Sequence, residues 1–148
     1  MKRLMSIGYE KADIPRFIAA LKEAGVDTLV DVRALAFSHK KGFSKSALAA
    51  ALKKRGIAYV HLRRLGAPKE VRKVHETDLA KFRKLYRAHL KSPETRADME
   101  ELKSLVQSAD CCLMCFERDP KECHRSLAAA ALARRMRVKI VDLAPALN

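Results

Sequence analysis

Residues 3–32 read RLMSIGYEKADIPRFIAALKEAGVDTLVDV, a strand, a helix and a second strand in immediate succession. Arg3 to Ile7 is a short apolar run stopped by Gly8. Asp13 then stands where a helix N-cap belongs, ahead of Ile14, Phe17, Ile18 and Leu21 at i, i+3, i+4 and i+7, with Gly25 to close the helix. Thr28 to Val32 follows as a buried strand. The alternation then continues. Ser44 is placed to cap a helix whose Leu48 and Leu52 face inward before Gly56 ends it, and Ile57 to Leu62 form the third strand. After a basic loop, Leu79, Phe82, Tyr86 and Leu90 share one helical face, and beyond Ser92-Pro93 so do Met99, Leu102 and Val106. Cys111 to Phe116 is the fourth strand, an alanine-rich helix runs to about Met136, and Val138 to Val141 is the fifth strand.

Strands separated by helices pair in parallel through right-handed crossovers. The expected fold is therefore a Rossmann-like, three-layer α/β/α domain with a mainly parallel five-stranded sheet, five units being too few for a barrel. The longest connection lies between strands three and four. It predicts a chain that returns across the sheet to the order 3-2-1-4-5, opening a crevice at the carboxyl ends of strands one and four. Nothing resembles a repeat or a linker, so residues 1–148 are expected to form a single domain.

Composition sets the outer limits of function. Of 148 residues, 49% are hydrophobic, enough for a core, and 32% are charged but interleaved with apolar positions, which excludes a disordered chain. No apolar run approaches the roughly 18–20 residues that span a bilayer, and Glu10 and Lys11 interrupt any signal-peptide core. A cytoplasmic protein with no membrane partner and reduced thiols is the expectation, since Cys111, Cys112 and Cys115 are too bunched for a secreted disulfide framework. The net charge of +14 favours polyanionic partners. Lys53 to Lys73 holds eight cations against one acid, Glu70, and is the candidate nucleic-acid contact; Lys81, Arg83, Lys84, Arg87 and Lys91 form a second cluster. Aromatic residues, at 5% with no tryptophan, supply few stacking platforms.

Reading the carboxyl end of each strand gives Gly8 and Tyr9, Asp31 and Arg33, His61 and Arg63, and Glu117, so one edge of the sheet collects most of the polar candidates. The densest cluster runs from Cys115 to Arg125. Asp119, Pro120 and Glu122 make a capping-box pattern that starts a helix early and leaves Cys123 a turn inside it. A helix beginning near Cys123 would instead lower that thiol's pKa and cradle an anion beside Arg125. Both starts are open. Asp31 and Arg33, two apart on a strand, share a face and suit a structural ion pair as well as a ligand site. Cys115, Cys123 and His124, with Glu117, offer metal donors, yet the spacing is not the paired C-x-x-C of structural zinc sites, and no metal is expected. Glycine-rich nucleotide motifs are absent, so the sequence names no cofactor.

Several of these segments together carry a resemblance. Ser6-Ile7-Gly8-Tyr9-Glu10, Leu29-Val30-Asp31-Val32-Arg33 with Ser38 and Gly42-Phe43-Ser44, Tyr59 and His61 before Leu65-Gly66, and Cys115-Phe116-Glu117 with Cys123-His124-Arg125 resemble the DUF488 family of small bacterial and archaeal proteins. Ala36 stands where that pattern leads one to expect a proline. The resemblance implies a shared polar site without naming a reaction.

The leading expectation is an enzyme or ligand-binding domain for an anionic, nucleotide-like small molecule at the carboxyl edge of the sheet. Cys123, His124 and Glu117 are the candidate nucleophile and acid–base groups, while Arg33, Arg125, Gly8, Tyr9, Ser38, His61 and Asp31 are the candidate substrate or anion contacts. Ser38 to Phe43 reads as a candidate lid. A nucleic-acid-associated basic protein is the alternative, and a redox or metal-binding module using Cys115 and Cys123 comes third.

Overall fold

A computed structural model describes residues 1–147. Five parallel strands, β1 (Lys2–Gly8), β2 (Thr28–Asp31), β3 (Ala58–His61), β4 (Cys111–Cys115) and β5 (Val138–Leu143), form one sheet. Six helices connect them: α1 (Ile14–Glu23), α2 (Lys45–Lys53), α3 (Lys69–Arg72), α4 (Leu79–Leu90), α5 (Arg96–Ser108) and α6 (His124–Ala133). The start of α1 is as read from the sequence, with the Asp13 carboxylate accepting from the Arg16 amide at 3.0 Å. Ser44 does hold the N-cap position of α2, but its hydroxyl turns to the preceding loop, accepting from the Ser38 amide and donating to the Ser38 carbonyl. The short α3 occupies part of the stretch expected to be a basic loop.

The strand order is β3-β2-β4-β1-β5, which corrects the expected 3-2-1-4-5 by placing β4 between β2 and β1. Burial gives the reason. Every residue of Cys111-Cys112-Leu113-Met114-Cys115 is buried, whereas β1 begins with exposed Lys2 and Arg3, and β5 exposes Lys139 and Asp142. The strand that is apolar on both faces therefore takes the middle.

Two cores cover the sheet. Phe17, Ile18 and Leu21 of α1 and Leu48 and Leu52 of α2 pack with Met5, Leu29, Cys112 and Met114 on one face. On the other, Met99, Leu102 and Val106 of α5 and Ala128, Ala129 and Leu132 of α6 pack with Leu4, Val30, Cys111 and Leu113. The result is a three-layer α/β fold. The chain leaves β1 and β2 toward the first face but leaves β4 toward the second. The loop after β4 thus rises between two neighbours whose connections run the other way, the geometry that opens a crevice at the carboxyl edge. No helix among the described residues is long and apolar enough to cross a membrane.

The order of strands is directly testable by interstrand NOEs. Backbone contacts are expected from Val30 to Leu113 and from Leu113 to Ser6, the observed register pairs. Contacts running straight from β2 to β1 would restore the order expected from the sequence.

Candidate functional site

Asp31 ends β2 fully buried, and Arg33 follows two positions on with its side chain on the same side. The guanidinium closes back on that carboxylate: Nε donates to Oδ1 at 2.9 Å and Nη2 to Oδ2 at 2.8 Å, while Nη1 donates to the Phe43 carbonyl at 2.7 Å and meets the Tyr9 hydroxyl at 3.3 Å. Burial opposes the charge on Arg33, but the Asp31 carboxylate outweighs it, and the pKa is raised. Tyr59 donates to the same carboxylate at 2.5 Å. His61 hydrogen-bonds the Arg33 carbonyl at 2.7 Å. Asp31, Arg33, His61 and Tyr59 therefore form one internal network. Arg33 keeps a face on the crevice, but most of its donors are already engaged inside the protein.

The segment after β4 resolves the two helix starts left open by the sequence. Asp119 caps only a 3-10 turn, Pro120–Glu122, accepting from the Lys121 amide at 2.9 Å. The chain then straightens at Cys123 (φ −124°, ψ 149°), which is the N-cap of α6. Arg125, on the first turn of α6, is completely buried and holds the whole segment. Its Nε donates to Ser6 Oγ on β1 at 2.6 Å; Nη1 donates to the Glu117 carbonyl at 2.5 Å and to Cys115 Sγ at 3.2 Å; Nη2 donates to the Arg118 carbonyl at 3.2 Å. Burial lowers the pKa of this guanidinium. Gly8 makes room for the same segment, because a Cβ there would lie 1.8 Å from the Glu117 carbonyl oxygen. Gly8 and Arg125 thus shape the loop from beneath.

Cys115 and Cys123 meet under that loop as a disulfide, with their Cα atoms 7.3 Å apart. This corrects the expectation of reduced thiols throughout; Cys111 and Cys112 are free and buried. His124 lies beside the pair. Its Nε2–H donates to the Val32 carbonyl at 2.6 Å, which leaves the Nδ1 lone pair 3.7 Å from Cys123 Sγ. Burial lowers the His124 pKa to about 4, so the ring is neutral at ordinary pH.

Above these groups lies a cavity of about 460 Å³. Tyr9, Arg33, Cys115, Glu117 and His124 line it, joined by Arg72, Lys73 and His75 from the α3 region and by Phe37, Phe82 and Phe116. Gly8, Asp31, Ser38, His61, Cys123 and Arg125 are not among the residues that line it; Ser38 serves its own loop, accepting from the Lys40 amide at 3.0 Å. Glu117 Oε1 is 3.6 Å from His75 Nε2, and burial raises the carboxyl's pKa. His75 packs edge-on against Phe82 and hydrogen-bonds the Glu122 carbonyl. Sequence reading missed His75, Phe37 and Phe116 as site residues. They sit on irregular segments where no periodicity marks a side chain's direction; only their position just after strand ends or among the α3 cations hinted at the edge.

The basic stretch from Lys53 to Lys73 is not one patch. Lys53, Lys54 and Arg55 lie before β3, at the amino edge of the sheet, where Lys22 Nζ donates to the Arg55 carbonyl; Arg63 through Lys73 lie after β3, at the carboxyl edge. Only the second group, through Arg72 and Lys73, reaches the cavity.

Removing Arg33 should expose the cost of leaving Asp31 buried and uncompensated. Arg33→Ala is expected to lower the unfolding free energy by about 3–5 kcal/mol in a urea titration. Asp31→Asn combined with Arg33→Ala should recover part of that loss. A single variant within about 0.5 kcal/mol of the parent would show that the pair carries no structural weight.

No curated protein and no solved structure matches the chain. A family model does match, over residues 13–132, which take in β2, β3, β4, helices α1 to α5, α6 but for its last residue, and the Cys-His-Arg segment. The chain belongs to the family described as domain of unknown function DUF488.

Proposed function

We propose that the cavity at the carboxyl edge binds a small anionic molecule with a flat apolar part, nucleotide-like in character, and that the domain is an enzyme acting on it. The carrying observation is the convergence of six separated segments on one 460 Å³ space, within the range of small-molecule sites. Its walls divide by chemistry. Arg72 and Lys73 supply positive charge for a phosphate or carboxylate, and exposed Phe37 and Phe116 supply ring faces at the mouth. Arg72 donates one Nη1 bond to the Ala67 carbonyl at 2.6 Å, which aims the guanidinium while leaving other donors available.

Glu117 supplies the acid–base group, with the His75 ring beside it. The carboxyl is shifted toward its protonated form by burial, which suits it to give and take a proton in general acid–base catalysis, while the His75 Nε2–H, held by the Glu122 carbonyl, faces its Oε1 as a donor. Arg125 and His61 act as positioning residues behind this surface, and Arg33, which lines it, is held in place by Asp31. Cys123, buried and paired, is no free nucleophile in the oxidised protein.

Native mass spectrometry of the freshly purified protein, with a denatured control, followed by calorimetric titration with nucleoside monophosphates, tests the reading. Retention or saturable binding is expected. Lys73→Glu and Arg72→Glu should each weaken it by ~10- to 100-fold, the loss of one charge-assisted contact of about 1.5–3 kcal/mol, with Tm held within a few degrees. Glu117→Gln should leave binding within a few-fold and abolish turnover. A bare chain with no binding across the set overturns the proposal.

A nucleic-acid reading draws on the same edge, since Arg72 and Lys73 adjoin the α4 cations. It predicts affinity that falls steeply and linearly in log–log coordinates with salt, and loss on combined charge reversal of Arg63, Arg64, Arg72 and Lys73. Binding indifferent to salt dismisses it.

A further inference from the structure

The structure places two sulfurs and an imidazole nitrogen around one point beneath the cavity. The Sγ atoms of Cys115 and Cys123 and the ring of His124 present donor atoms that all lie within 4.8 Å of one another, each from a buried residue. We propose that in the reduced protein these three residues bind a zinc ion, with a fourth coordination position open to the cavity. This goes beyond the ligand proposed above and does not rest on it.

Three observations carry the assignment. The donor set is two thiolates and one neutral imidazole, the soft and borderline ligands that zinc takes, and three protein ligands with one vacant position are the pattern of catalytic rather than structural zinc. His124 is already oriented as a ligand: its Nε2–H is tied to the Val32 carbonyl at 2.6 Å, which fixes the tautomer and leaves Nδ1 toward the sulfurs. Arg125 gives the third. Its buried guanidinium has no carboxylate hydrogen-bonded to it among the described residues, and Nη1 points instead at Cys115 Sγ, 3.2 Å away. A thiolate at Cys115 supplies the negative charge that this cation otherwise lacks, and the cation in turn favours the thiolate that a metal needs.

Access is asymmetric. Cys115 and His124 both line the cavity, whereas Cys123 lies behind it, so the open position faces the space in which Glu117 and His75 also stand. A zinc ion there polarises a bound oxygen or lowers the pKa of a bound water, and Glu117 is the group available to exchange its proton. The chemistry balances in two stages. A phosphine reductant, with water, is converted to its oxide as the S–S bond takes up two electrons and two protons. The two thiols then release those protons as the zinc–sulfur bonds form, and His124 contributes its lone pair.

The test uses the full chain reduced anaerobically with a phosphine, loaded with zinc(II) and desalted, with metal read by elemental analysis. One zinc per chain is expected, with none on the oxidised chain. Cobalt(II) in place of zinc should give the intense visible bands of a tetrahedral, thiolate-bound ion in the unmodified protein, a readout independent of any variant. Cys123→Ser and His124→Gln should each weaken retention at least tenfold, while Cys111→Ala, outside the cluster, should not. Zinc should also raise the Tm of the reduced chain and not that of the oxidised one. The proposal is overturned if the reduced, folded chain retains no zinc, if cobalt gives only the pale spectrum of an aquo-like octahedral ion, or if Cys123→Ser retains zinc as well as the parent. Nucleotide binding is read separately by calorimetry on the oxidised chain, so failure here leaves that result standing and the converse also holds.

Discussion

The guanidinium of Arg125 is the tie on which the site depends. A fully buried cation costs several kcal/mol in desolvation unless its donors are met, and here they are met by groups from three different parts of the chain. Ser6 on β1, Cys115 at the end of β4, and the Glu117 and Arg118 carbonyls of the following loop all accept from it. The helix that carries the arginine, the strand that enters the loop and the strand beside it are thereby held to one geometry. Glu117 owes its place over the cavity to its own carbonyl being fixed from below. Gly8 is the complement of this arrangement, since the loop lies so close to β1 that no side chain fits between them.

A second buried charge organises the other side of the crevice. Asp31 and Arg33 neutralise each other across β2, and the remaining donors of the pair reach Tyr9 after β1 and the carbonyl of Phe43 before α2. Tyr9 in turn stacks on Phe43 at 4.6 Å and meets Phe116 edge-on at 5.3 Å. The Ser38 to Phe43 stretch, which reads as a lid, is anchored at its far end by this stack and at its near end by the Ser38–Ser44 hydroxyl contacts. The two networks face each other across the cavity floor, and His124 bridges them by donating to Val32, between Asp31 and Arg33.

Much of this was legible in the sequence. Apolar periodicity marked every strand and the longer helices, because burying one face of a helix or both faces of a parallel strand constrains residue type at fixed intervals. The choice of sheet edge was legible too, since polar residues at successive strand ends have few other reasons to recur. What periodicity does not encode is which strand goes to the centre, and there the contrast between wholly buried β4 and the charged ends of β1 was the available signal. Nor does it encode side-chain direction in irregular chain. Arg125 was expected to face a ligand but turns inward, because on the first turn of α6 its side chain points at β1. The meeting of Cys115 and Cys123, eight residues apart across a loop and a 3-10 turn, follows from the path of that loop and from no local pattern.

The place of β4 in the sheet also governs when the sheet can exist. β1 pairs with β4 and β5, and β2 with β3 and β4, so the first two strands share no ladder of their own. As the chain leaves the ribosome, everything before Cys111 amounts to one two-stranded pair, an unpartnered β1 and helices that lack the β4 side chains they pack against. A two-stranded pair is marginal in water. The keystone strand follows β1, β2 and β3 and the five helices between them along the chain. It brings with it the cysteine that begins the site, so sheet completion and site assembly are a single late event in the life of the nascent chain.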